Sequence, residues 1–260
     1  DPSFRSLFTS APDEQVIFSQ LKDLKHLINP DLVANALAKF NFELAKKLDK
    51  NLFPLLENLN IKDAYKPNSK QSGKRKLKLK ILNLISYLEP ELGSVTKNYY
   101  EANNMTEKIG SLSILIFHGK GQEQLHDFYL KWRNDDLVLD KWFSIQASQT
   151  NPEKSLEVVK KLSALDEFKW KNPNRFRSLI GSFALGNLPG FHKQNGEGYK
   201  FVANWLIKLD SINPQTTARL CTVFDNWQCF NVTRQNMIKQ NLDFILNSDN
   251  ISLNTFEITQ

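Results

Sequence analysis

The sequence predicts an all-α protein, built as an irregular, HEAT-like α-solenoid of antiparallel helix pairs. Three observations carry that reading. Apolar residues recur at i, i+3 and i+4 almost throughout the 260 residues, and no stretch shows sustained alternation between hairpin turns. Four helix starts are written explicitly as Asn-Pro, at Asn29, Asn151, Asn172 and Asn213. Only 10 glycines and 10 prolines are present, too few for the many tight turns of a sandwich or barrel. Helices of about 10–18 residues with short connections are the rhythm of stacked helix pairs. No strict repeat is visible and no Pro/Gly/Ser-rich linker divides the chain, so the expected organisation is a single helical domain over 1–260.

Taken in order, Ser10-Ala-Pro-Asp-Glu reads as an early helix start. At Asn29-Pro-Asp, the Asn side chain can accept a backbone N–H, Pro loses nothing by lacking its own, and the acid favours the positive end of the helix dipole. The stripe Leu32, Val33, Ala36, Leu37, Phe40 and Leu44 follows. The basic run Lys70–Lys80 looks like a nucleic-acid patch as a pattern. It fits better as a helix capped by Ser72, with Leu77, Ile81, Leu84, Ile85 and Leu88 inward and the lysines as its solvated face. No aromatics are interleaved with its cations as a single-strand groove requires.

Thr106-Glu-Lys and Gly121-Gln-Glu read as further starts, with Gly119 a stop between them. The pair Asp135-Asp136 points apart on a helix or caps one. Asn151-Pro-Glu opens the next helix, and Asn172-Pro-Asn opens one with the stripe Phe176, Leu179, Ile180, Phe183 and Ala184 up to Gly186. Asn187 to Tyr199 is the longest non-helical candidate. Val202, Trp205, Leu206 and Leu209 mark another helix, then Asn213-Pro-Gln, with Asn247 a late stop. Ile251–Ile258 fits either brief alternation or a helical tail.

Composition excludes several classes. The net charge of +6 is modest and owes much to the lysine run. No charged-then-apolar leader follows Asp1, and no apolar run reaches the roughly 18–20 residues that span a bilayer. The two cysteines, Cys221 and Cys229, stand eight apart on one predicted helix, about 12 Å along its axis at ~1.5 Å per residue. Disulfide Cα atoms lie within about 7 Å, so both thiols are expected free, as suits a reducing cytoplasm. The four histidines include no His-Glu-x-x-His, no Gly-x-Ser-x-Gly elbow is present, and Cys221 has no nearby His. No residue set runs hydrolytic chemistry alone, so the expectation is no catalytic residue and no metal within the chain.

The arginines carry the sharper signal. Arg175 and Arg177 flank Phe176, and Arg219 precedes Leu220, with Arg177 and Arg219 at the border of a buried stripe. Spacing leaves two readings open: an edge guanidinium paired to a neighbouring acid, or a bidentate contact to an anion or peptide carboxylate.

Several long motifs, in one order, give a resemblance. Asn104-Met-Thr-Glu107, Phe128-Tyr-x-Lys-Trp132 and Leu137-Val-x-Asp-Lys-Trp-Phe-x-x-Gln-Ala147 precede Asn172-Pro-Asn-Arg-Phe-Arg-Ser-Leu-Ile-Gly-Ser-Phe183. Phe191-His-x-x-x-Gly-x-Gly-Tyr-x-Phe201 and Asn213-Pro-Gln-x-x-x-Arg-Leu220 complete the set. Together they resemble the C-terminal helical domain of the bacterial aminopeptidase N family, the gluzincin zinc aminopeptidases. Phe176 departs from the aliphatic residue of that pattern, and Trp227–Phe230 from a more basic stretch.

The resemblance implies a domain that caps a zinc-bearing catalytic domain absent from this chain, in an enzyme that removes N-terminal residues from peptides. It implies that Arg177, Gln215 and Arg219 line the cavity near bound peptide, with Gln215 at the rim and the arginines on backbone or carboxylate. The expected partners are peptides and the parent's own catalytic domain, without nucleic acid or membrane, in a cytoplasmic monomer. A free-standing helical scaffold binding an acidic partner or nucleic acid is the alternative.

Overall fold

The computed structural model describes residues 1–61 and 63–260, and the all-α expectation holds. Among these residues the only β-type pairing is an isolated parallel bridge between Ile28 and Phe230. Contacts group the described residues into two units, Asp1–Asp13 with Val33–Phe128, and Glu14–Leu32 with Tyr129–Gln260.

The first unit contains α1 (Pro2–Phe8), most of α3 (Pro30–Asn58), α4 (Ser69–Ile85), α5 (Gly93–Glu101), α6 (Met105–Phe117) and most of α7 (Gln122–Trp132). Ala45, Leu52 and Leu59 of α3 and its end meet Leu77, Ile81, Leu84 and Ile85 of α4 in one buried cluster. The stripe predicted for α4 is therefore its core face. The cap and the lysines differ from expectation. Asn68, not Ser72, caps α4 through Gln71 N, because the helix begins one turn earlier. Arg75 and Lys78 are buried rather than solvated, and Lys78 pairs with Glu107 of α6 at 3.0 Å. Asn104 likewise replaces Thr106 as the α6 cap, bonding Glu107 N.

The second unit contains α2 (Glu14–Asp23), α8 (Asp136–Gln149), α9 (Pro152–Ser163), α10 (Pro173–Phe176), α11 (Ser182–Gly186), α12 (Leu188–Phe191) and α13 (Glu197–Asp210). It ends with α14 (Pro214–Cys221), α15 (Val232–Leu246) and α16 (Leu253–Thr259). A π turn, Arg177–Gly181, joins α10 to α11 without a break. The core is aromatic. Phe168 and Phe176 stack on each other and each meets Trp205 edge to face, and Phe191, Tyr199, Phe224 and His192 form a second group. Offset and edge-on ring pairs of this kind add about 0.5–1.5 kcal/mol each beyond area burial.

All four Asn-Pro sites start helices, and each Asn side chain accepts a first-turn N–H. Asp135 caps α8 through Leu137 N and Val138 N. Two expectations are corrected. Asn187–Tyr199 is not one long loop, since Asn187 caps the short α12 and α13 begins at Glu197. Cys221 and Cys229 do not share a helix: α14 ends at Cys221, and Cys229 lies in a separate 3-10 turn. Both are free thiols. The tail is helical, and the buried Asp210 holds it by accepting from Ser252 N at 2.6 Å, Ser252 Oγ at 2.7 Å and Thr255 Oγ1. No helix among the described residues is long and apolar enough to cross a membrane.

Candidate functional site

Within the second unit, α8, the π turn with α11, and α14 line an open cavity of about 840 Å³. From α8 come Ser144, Ser148 and Gln149, the two serines one turn apart on the same face. The π turn and α11 contribute Arg177, Gly181, Ser182, Leu185 and Gly186; α14 and the residues after it contribute Thr216, Arg219, Leu220 and Thr222. Two close approaches fix the wall. The Ser144 and Ser182 hydroxyls lie 2.8 Å apart, and a Cβ at Gly186 would stand 2.9 Å from Ser148 Cβ, so glycine lets α11 reach α8.

The two arginines around Phe176 have different roles. Arg175 is buried, with Nε on Asp140, Nη2 on Asp136 at 3.1 Å, Nη1 on the Glu167 carbonyl, and the Phe143 ring 5.2 Å from its guanidinium. Its guanidinium fastens α10 to α8. Arg177 emerges at the start of the π turn, exposed, and donates from Nη2 to Asn174 Oδ1 at 2.6 Å. Arg219 is exposed on the last turn of α14. Neither Arg177 nor Arg219 has an ion pair among the described residues, and no carboxylate lines the cavity.

The structure thus brings Arg177 and Arg219 to one cavity, but Gln215 is not among the lining residues. Thr216, Arg219 and Leu220 share a helical face at i, i+3 and i+4, and Gln215, one residue before Thr216, is turned about 100° from it and exposed. Sequence reasoning missed the hydroxyl lining of Ser144, Ser148, Ser182, Thr216 and Thr222, although the i, i+4 spacing of Ser144 and Ser148 was a readable sign. It also missed Asn174, whose side chain orients Arg177. Two cations and a ring of hydroxyls without a competing acid suit an anionic or carboxylate group, to which a guanidinium donates in bidentate fashion.

The other titratable candidates are structural. His192 is buried with Nδ1 2.9 Å from the Tyr199 hydroxyl, and burial, then the nearby Arg234, push its pKa down to about 3. His118 contacts the Ser86 hydroxyl at 2.8 Å, and burial lowers its pKa. Burial pushes the Cys221 thiol up to about 12, away from thiolate reactivity. Among the described residues no three His, Cys, Asp or Glu side chains are grouped to hold a metal ion.

Aminopeptidase N of Haemophilus influenzae is 32% identical over 259 residues, covering 99% of this chain and 29% of that protein. Aminopeptidase N of Escherichia coli is 31% identical over 265 residues, with 99% and 29% covered. A solved structure, Legionella pneumophila aminopeptidase A in complex with aspartic acid, superposes with a TM-score of 0.82 at 29% identity. That match covers 93% of this chain and 30% of that one. The chain therefore spans under a third of the length of the relatives it matches. The family model described as "Domain of unknown function (DUF3458_C) ARM repeats" matches residues 1–260, and the chain belongs to that family.

Proposed function

We propose that this chain is the non-catalytic C-terminal domain of a zinc aminopeptidase that removes N-terminal amino acids from peptides. In this reading residues 1–260 form one domain, which caps the catalytic centre and presents its cavity to the substrate. The observation that carries the proposal is an acid-free cavity holding two guanidiniums without ion pairs, within a chain that matches about 30% of aminopeptidase N relatives over nearly its whole length. Arg177 and Arg219 contact peptide backbone or carboxylate. Gln215, exposed one residue ahead of the lining Thr216, contributes a polar contact at the rim.

The residues of this chain do not fit zinc, since no ligand group is assembled among those described. The metal belongs to the catalytic domain, where it would polarise the scissile carbonyl and activate water. The contribution of this chain is orientation: charged donors that fix a peptide beyond its first residue reduce the entropy of reaching the reactive geometry. A monomer in a reducing bacterial cytoplasm completes the proposal, supported by the two free thiols.

The test uses the full-length protein. It should release N-terminal residues and lose that activity to a chelator. Arg219→Ala should lower kcat/KM for peptides of several residues by about 5–150-fold, the equivalent of ~1–3 kcal/mol for a charged hydrogen bond. Single-residue chromogenic substrates, too short to reach it, should be nearly unaffected. Equal losses on both substrate classes would make Arg219 a structural residue and remove the cavity from the reading.

A further inference from the structure

In the first unit, α1 is seated the opposite way round from an ordinary surface helix. Its buried residue is Ser6, whose hydroxyl donates to the Lys76 carbonyl of α4 at 3.4 Å. Ser3 lies so close to α4 that a Cβ on Gly73 would come within 2.6 Å of its hydroxyl. The small polar side therefore faces α4. On the other side Phe4, Leu7 and Phe8 are 64%, 66% and 80% exposed, with the Phe4 and Phe8 rings 6.0 Å apart.

Water selects the reverse arrangement, since an amphipathic helix turns its apolar stripe inward. The positions i, i+3 and i+4 form one continuous stripe of the width a packed helix would cover. A stack of helical repeats ends in a polar outer face where it truly ends. The outer face of α1 is apolar, the pattern of an internal layer rather than of an end. The relatives supply the material for another layer, because about 70% of their length lies outside the matched region.

We infer that the Phe4–Leu7–Phe8 face of α1 is covered by a helix from the same polypeptide, lying outside residues 1–260. The inference rests on the reading of this chain as part of a longer aminopeptidase. It adds to that reading a specific seam through which the helical stack continues.

The experiment is hydroxyl-radical footprinting of the native full-length protein, at a dilution where mass photometry shows monomers. A photoreactive residue replaces Phe8 in a parallel sample. Phe4, Leu7 and Phe8 are expected to label as slowly as the buried Phe128, and the Phe8 crosslink to join a peptide from outside residues 1–260. Labelling closer to the rate in urea-denatured protein would overturn the inference. Protection that disappears on dilution would assign the face to a second copy and overturn it equally. A crosslink falling within residues 1–260 would also overturn it. The underlying reading fails by a separate result: a native protein with only the mass of this chain.

Discussion

Arg175 and Arg177 stand two residues apart and have opposite environments. Arg175 is enclosed by Asp136, Asp140 and the Glu167 carbonyl, while Arg177 keeps one bond, to Asn174, and faces an acid-free cavity. Removing Arg175 leaves the Asp140 carboxylate, 17% exposed, without its buried cation, so Arg175→Ala should destabilise the protein by about 3–5 kcal/mol. Arg177→Ala should fall within about 0.5 kcal/mol of the parent, as for other surface substitutions. Denaturant midpoints measured on both variants check the contrast, and comparable losses would contradict the assignment of Arg177 to the cavity rather than to the fold. The sequence placed both arginines beside a buried face but could not separate them, because the acids that claim Arg175 lie 35 and 39 residues away.

At the scale of elements, the helix starts were the most legible part of the fold. An Asn-Pro start is settled within four residues, by a side-chain acceptor and a ring that needs no donor, and all four formed as read. Ser72 and Thr106 were misplaced as caps because Asn68 and Asn104 stood one turn or less upstream with the same chemistry. The π turn was invisible, since one extra residue per turn leaves no compositional trace. So was the burial of Lys78, which depends on Glu107 arriving from α6. The cap of α14 offers a direct test: Asn213→Ala frees the Thr216 N–H and should cost about 0.5–2 kcal/mol in thermal or chemical unfolding. No change would mean that packing alone sets where α14 begins.

For the whole molecule, stability should depend on acid through the aromatic core of the second unit. His192 packs 4.4 Å from the Phe230 ring and 4.8 Å from the Phe191 ring, while Arg234 donates to its carbonyl at 2.7 Å and to Asp31 at 2.8 Å. The folded imidazole stays neutral with its pKa near 3, whereas in the unfolded chain it takes a proton near pH 6.5. The unfolded state therefore binds more protons between those values. The contribution of a neutral His192 is fully present above about pH 6.5 and is lost as pH falls towards 3. Unfolding midpoints followed from pH 7 down to 4 should decline less steeply in His192→Gln than in the parent. Parallel declines would place the acid sensitivity elsewhere.

The π turn sets the register of the cavity wall. Arg177 opens it, Gly181 closes it, and Leu185 and Gly186 follow on the next turn of α11. One residue corresponds to about 100° of helix rotation. Were the same residues wound as a continuous α-helix, Gly186 would swing about 100° away from Ser148 while Arg177 stayed where it is, and the cavity would lose one wall without losing any lining side chain. The spacing between Asn172 and Gly186 thus behaves as a ruler: in a relative with one residue fewer, an ordinary α-helix would keep the guanidinium and the glycine facing the same space.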